Sequence, residues 1–196
     1  MNEVAARYPR TIDLGGNSIE FSLMTETDQA LTAAFAETLA DHDLLFLSRN
    51  IREPKVVAAW LKQIEAGEIV SVAARLDGKI VGTTAIVVDR LSFSAHVGDI
   101  RVLVGGDARE IGLGRRLIQE AFLVGMDLGL EKLTARMTID QDGAIKVFEE
   151  LGFRQEALFT DFVKDGNGKK HDLIIMCQDV ERFVAHMQTY GLDQIG

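Results

Sequence analysis

Arg109-Glu110-Ile111-Gly112-Leu113-Gly114 is the stretch on which the reading of this chain turns. It follows the apolar run Arg101-Val102-Leu103-Val104 and the break Gly105-Gly106-Asp107. After it, Leu113, Leu117, Ala121, Val124 and Leu128 recur at helical spacing, so a helix over about 112–128 is predicted to follow a strand. A helix start exposes unpaired N–H groups and the positive end of the helix dipole, which suits phosphate. Glycines at 112 and 114 remove side chains that would hold a diphosphate off the backbone. Arg109 and Arg115 add positive charge. A dinucleotide fingerprint would need glycine at Leu117, and a P-loop would need Gly-Lys followed by Ser or Thr where Gly114-Arg115-Arg116 stands. Taken alone, the motif also fits a glycine-bearing helix cap with no ligand.

The flanking pattern supplies a context. Downstream, Lys132 to Ile139 reads as a strand, Asp142 to Leu151 as a short helix closed by Gly152, and Gln155 to Lys164 and His171 to Gln178 as strands around Asp165-Gly166-Asn167-Gly168. Val180 to Tyr190 reads as a last helix. Upstream, Ile69 to Leu76 and Lys79 to Val88 flank Asp77-Gly78, a strong hairpin signal, and His96 to Val104 is the next strand. Pro54 suits a first helical turn, with Val57, Trp60, Leu61 and Ile64 as its apolar stripe and Gly67 as its stop. An earlier helix carries Leu31, Ala34, Phe35 and Leu39 on one face, after a strand at Ile19 to Met24. Residues 1–17 read as an N-terminal arm, 18–180 as the domain and 181–196 as a C-terminal helix or tail. Strand–helix–strand units mixed with hairpins predict an α/β (α+β) fold, a mixed sheet of about six to seven strands with helices on both faces.

Bulk properties narrow the function. A net charge of −9 argues against sequence-independent binding to nucleic acid, which needs a dense basic surface. No apolar run is long enough to span a membrane, and the first residues lack a secretory core, so a cytoplasmic protein is expected. The single cysteine, Cys177, allows no intrachain disulfide and is expected to be buried rather than nucleophilic. His42, His96, His171 and His186 are dispersed, with no ligand spacing, so no metal site is expected.

Arg109-x-x-Gly112-x-Gly114 behind its strand, together with Ala144-Ile145-Lys146-Val147-Phe148-Glu149-Glu150-Leu151-Gly152-Phe153, resembles the GNAT superfamily of acetyl-coenzyme A-dependent N-acetyltransferases. The element order resembles that family over nearly the whole chain after residue 18. The resemblance implies a centrally splayed sheet and transfer of an acetyl group from acetyl-coenzyme A to a primary amine, by direct attack through a tetrahedral intermediate. It implies that the backbone of Val102, Leu103 and Val104 pairs with the pantetheine arm, with the amide of Leu103 stabilising the oxyanion. Backbone N–H groups of Glu110, Ile111, Gly112, Leu113, Gly114 and Arg115 would hold the pyrophosphate, beside Arg109. Gln141 and Phe148, on or before the next helix, would flank the cofactor. Phe148 stands where family members often carry a tyrosine that protonates the departing thiolate. That departure keeps a second reading open, a non-catalytic coenzyme A-binding or interaction domain of the same fold.

Amine acetylation needs a neutral nucleophile and therefore a proton acceptor. Asp99 is the candidate base, against the plainer reading of a strand carboxylate paired to Arg101 or to solvent. Asp41, Asp43, His96 and His171 are candidates for the acceptor site; a solvated loop and a turn-adjacent polar pair are their ordinary alternatives. The expected partner is an amine-bearing substrate, with a homodimer through the strand edge or the N-terminal arm.

Overall fold

The structure, a computed structural model, describes residues 2–182. Five α-helices and eight β-strands alternate there in the order α1(Asn2–Arg7), β1(Arg10–Leu14), β2(Asn17–Leu23), α2(Gln29–Thr38), α3(Pro54–Glu65), β3(Ile69–Leu76), β4(Lys79–Val87), β5(Val97–Val104), α4(Leu113–Asp127), β6(Lys132–Thr138), α5(Asp142–Glu150), β7(Arg154–Lys164) and β8(Lys170–Asp179). The strands form one sheet in the order β1-β2-β3-β4-β5-β6-β8-β7. Every neighbouring pair is antiparallel except β5 and β6. The mixed sheet expected from the sequence is therefore present, with eight strands rather than six or seven.

The extra strand comes from the segment expected to be an arm. Arg10–Leu14 pairs with Asn17–Phe21 across Gly15-Gly16 and extends the sheet. The helix before it and the following Tyr8 are held on α4 by an ion pair and a hydrogen bond. Arg7 bonds Asp127 at 2.8 Å, and Tyr8 Oη donates to Glu120 Oε2 at 2.7 Å. Glu120 is fully buried, and it also accepts from Arg10 at 2.6 Å and from Arg116 at 2.8 Å. A buried carboxylate needs such compensation, because desolvating an unpaired charge is costly. Burial and the neighbouring Glu120 charge push the Tyr8 hydroxyl well above its usual range, so it stays a donor.

Two cores lie on opposite faces of the sheet. On one, Val4 of α1 and Tyr8 just after it, Leu113, Leu117 and Ala121 of α4, and Phe148 and Phe153 pack on Ile86, Ile100, Ala135 and Met176. On the other, Phe35 and Ala36 of α2 and Val57 and Leu61 of α3 pack on Ala73 and Leu103. Strand alternation sets this division: Gly98 and Ile100 face α4, while Asp99, Arg101 and Leu103 face the α2–α3 side. Between α2 and α3, a 3-10 turn covers Asp41–Leu44, where the sequence suggested a loop or short turn. Only the first three residues of the helix expected over Val180 to Tyr190 fall among the described residues; the rest lies outside them. No helix there is long and apolar enough to cross a membrane.

Candidate functional site

The cleft follows from where two strands part. β5 and β6 are parallel and paired from Val97–Lys132 to Ile100–Ala135. Beyond that point, among the described residues, they make no further ladder. β5 continues to Val104 on β4, and β6 continues to Thr138 on β8. One edge of β5 is therefore open from Arg101 to Val104.

The register says which backbone groups face that opening. Gly105 N–H donates to Val81 O at 2.9 Å, and the β4–β5 register runs unbroken from Val104 to Asp99. Successive residues alternate sides of an antiparallel strand, so Leu103 and Arg101 bond toward β4. Consistent with this, Leu103 O lies 3.1 Å from where a Cβ on Gly82 of β4 would stand. The N–H and C=O of Val102 and Val104 point into the opening instead. This corrects the expectation for Leu103: its amide belongs to the β4 ladder and does not face the cleft.

At the end of β5 the chain turns into α4. Gly112 is the N-cap at φ 86°, a left-handed conformation that disfavours a Cβ. Glu110 also has positive φ, at 68°. Two positive-φ residues therefore flank Ile111 just before the helix. The first helical bond is Arg116 N–H to Gly112 O at 3.1 Å, so the amides of Leu113, Gly114 and Arg115 precede the α4 ladder. Space is open around Gly112, and a Cβ on Gly114 would meet only Val104 at 3.7 Å. The start of α4 thus offers unbonded amides, room and a helix dipole.

Its arginines are already engaged. Arg109 is ion-paired with Asp43 of the 3-10 turn, and Arg115 with Glu150 of α5. Arg116 turns inward to Glu120. Gln141 spends its side-chain carbonyl on the Thr138 amide at 3.0 Å. Phe148 is not in the cleft: it is 5 % exposed and packs edge-on against Phe153, ring centres 4.9 Å apart.

On the α2–α3 side, a cavity of about 180 Å³ lies between α3 and β3–β5, lined by Arg49, Trp60, Thr83, Arg101 and Leu103 among others. Asp99 stands on the same face. Its carboxylate contacts Arg101 at 3.2 Å, Arg136 at 3.4 Å and the Thr134 hydroxyl at 3.4 Å. The ion-paired strand carboxylate is therefore what the structure shows at Asp99.

The remaining candidates separate. Asp41 is tied to Arg52, whose guanidinium also donates to Leu39 O, so it fastens the turn after α2. His96 is exposed at the start of β5, where its carbonyl accepts from Glu131, and it does not reach the splayed end of that strand. His171 joins a cluster at the mouth of the cleft. His42 Nε2 lies 3.1 Å from Asp140 Oδ1, His171 Nδ1 lies 3.5 Å from Asp140 Oδ2, and His171 Nε2 lies 3.0 Å from Asp165 Oδ2. Two of the histidines expected to be dispersed, His42 and His171, thus meet, because the 3-10 turn reaches the ends of β6 and β8. Sequence spacing carries no trace of this, since the contacts join residues as far apart as His42 and Thr138. The Thr138 hydroxyl holds Asp140 below the usual carboxylate range, with His42 adding to the effect.

Solved structures share this architecture. An acetyltransferase of the GNAT family from Streptococcus pneumoniae superposes with a TM-score of 0.71 at 23 % identity, over 82 % of this chain and 99 % of that one. The GNAT domain of S. lividans PAT gives 0.72 at 18 % identity, over 89 % and 98 %. The yncA structure from Salmonella typhimurium, solved with its cofactor acetyl-CoA, gives 0.67 at 19 % identity, over 82 % and 94 %. No curated protein matches the chain in sequence. The sequence model of the acetyltransferase (GNAT) family, however, matches residues 33–153, a span running from α2 through the splayed strands to the end of α5. On that match, the chain belongs to the acetyltransferase (GNAT) family.

Proposed function

We propose that this protein moves an acetyl group from acetyl-coenzyme A to a primary amine. The observation that carries this is the open edge of β5 together with the unbonded amides at the start of α4, after Gly112. A pantetheine arm carries amides that can pair with Val102 and Val104 as a short strand does. The pyrophosphate then meets the N–H groups at the α4 start, beside Arg109 and Arg115. In the transfer, the amine nitrogen bonds to the thioester carbonyl carbon, the C–S bond breaks, and the thiolate takes up a proton. An amide of Val102 or Val104, rather than Leu103, is the backbone donor on hand for the carbonyl oxygen.

The acceptor enters from the opposite face, into the cavity beside Trp60 and Leu103. Asp99 remains the proton acceptor to test. Arg101 and Arg136 hold it, so to act as a base it must exchange one of these partners for water or the amine. Phe148 is in the core and supplies no acid, which leaves solvent to protonate the thiolate. A homodimer contact fits the edge strand β7, where Phe159 and Phe162 are exposed with ring centres 4.9 Å apart.

Two measurements test this. Titration with acetyl-coenzyme A is expected to show binding that Gly112→Trp abolishes; unchanged affinity in that variant removes the proposed diphosphate site. Thiol release across a panel of primary amines is expected to show turnover on at least one, and Asp99→Asn with full activity removes Asp99 as the base. Binding without release on any amine supports the non-catalytic alternative.

A further inference from the structure

We propose that His42, Asp140 and His171 form a binding site for one divalent transition-metal ion of the zinc class, at the mouth of the cleft on the α2–α3 side.

The three side chains come from three elements: the 3-10 turn, the segment after β6 and the start of β8. Their ligand atoms all lie within 4.8 Å of one another. In a tetrahedral site with metal–ligand bonds of about 2.0–2.1 Å, ligand atoms stand about 3.3 Å apart. The Asp140 carboxylate spans the two histidines, with Oδ1 3.1 Å from His42 Nε2 and Oδ2 3.5 Å from His171 Nδ1, distances close to that length.

The two ring nitrogens of His171 face different carboxylates: Nε2 donates to Asp165 at 3.0 Å, and Nδ1 is the nitrogen on the Asp140 side that would take the metal, giving up any proton there when the ion binds. The arrangement Asp165–His171–metal is the carboxylate–histidine pairing that orients metal ligands and raises their basicity. Thr138, fully buried, supports the other side: its hydroxyl lies 3.2 Å from His42 Nε2 and hydrogen-bonds Asp140.

Half-exposed Asp140 and His42 leave the fourth position open to solvent. His171, with 7 % of its side chain exposed, is the fixed wall. A bound ion would pin the turn between α2 and α3 to the ends of β6 and β8.

The experiment uses the full chain, stripped with a chelator and titrated with Co²⁺ followed by optical absorption, then with Zn²⁺ in competition. One equivalent is expected, with the visible bands of a low-coordinate cobalt site. His171→Ala and Asp140→Asn are expected to lose the bands; Asp140 is exposed enough that Asn leaves the fold intact. Asp165→Asn is expected to weaken binding about 10- to 100-fold. His96→Ala, at the far end of β5, is expected to bind as the parent does. Absence of binding, or binding that survives in His171→Ala or Asp140→Asn, overturns the proposal. The readout needs no acetyl-coenzyme A, so it stands or falls apart from the transferase reading.

Discussion

At the residue scale, the contact between Arg109 and Asp43 joins the proposed diphosphate cradle to the turn above the cleft. A half-exposed ion pair contributes about 0.2–1 kcal/mol. Asp43→Asn frees the guanidinium for phosphate, so the Kd for acetyl-coenzyme A is expected to fall by up to about fivefold. Isothermal titration checks this, and a rise in Kd would show instead that Asp43 helps to place Arg109. Cys177 offers a pH test. Burial and the neighbouring Glu156 carboxylate push its thiol up to about 11 from an ordinary 9. The fold thus disfavours the thiolate, and this group's contribution to stability is complete below about pH 9 and lost as pH rises through about 11. Iodoacetamide labelling of the native protein is expected to accelerate with a midpoint near 11; a midpoint near 9 would place the thiol in water. The burial of Cys177 was legible in its sequence context. The place of Phe148 on the apolar face of α5, with Ala144, Ile145 and Leu151, was legible too; that this face packs on Phe153 rather than flanking the cofactor was not, because it depends on where Phe153 lands.

At the element scale, Tyr8 and β1 are anchored on α4 through Glu120, and α1 through Arg7 and Asp127. Glu120→Ala leaves Arg10 and Arg116 without their buried partner, a change that costs about 3–5 kcal/mol. Thermal denaturation is expected to show a large fall in Tm. A change of only a degree or two would mean that the N-terminal elements add little to the fold. Apolar periodicity made α3 and α4 legible, since each buries one regular stripe, and the Asp77-Gly78 turn between two apolar runs made the β3–β4 hairpin legible although its strands are buried on both faces. Periodicity was silent on β1. Five residues carry only Ile12 and Leu14 as an alternating signal, and their pairing depends on the Gly15-Gly16 turn. Nor does sequence show that Tyr8 and Arg10 meet Glu120 more than a hundred residues away. The direction of the Leu103 amide was missed for a related reason. Periodicity assigns side chains to faces, but only the β4–β5 register says which strand each N–H meets.

At the scale of the whole molecule, the sheet leaves β7 as an open edge with Leu158, Phe159 and Phe162 exposed. Unpaired edges with apolar side chains favour association. Light scattering coupled to size exclusion is expected to give a dimer for the parent chain and a monomer for Phe162→Asp; a monomeric parent removes that contact. The central claim concerns the sheet's other break, between β5 and β6, where pairing ends at Ile100 and Ala135. Amide hydrogen exchange resolved by residue, with and without acetyl-coenzyme A, tests it most directly. Val102, Val104 and the amides of Leu113, Gly114 and Arg115 are expected to slow on binding, while Leu103, already paired to β4, stays unchanged. Acetyl-coenzyme A that binds while Val102 and Val104 exchange at their free rate would contradict the account.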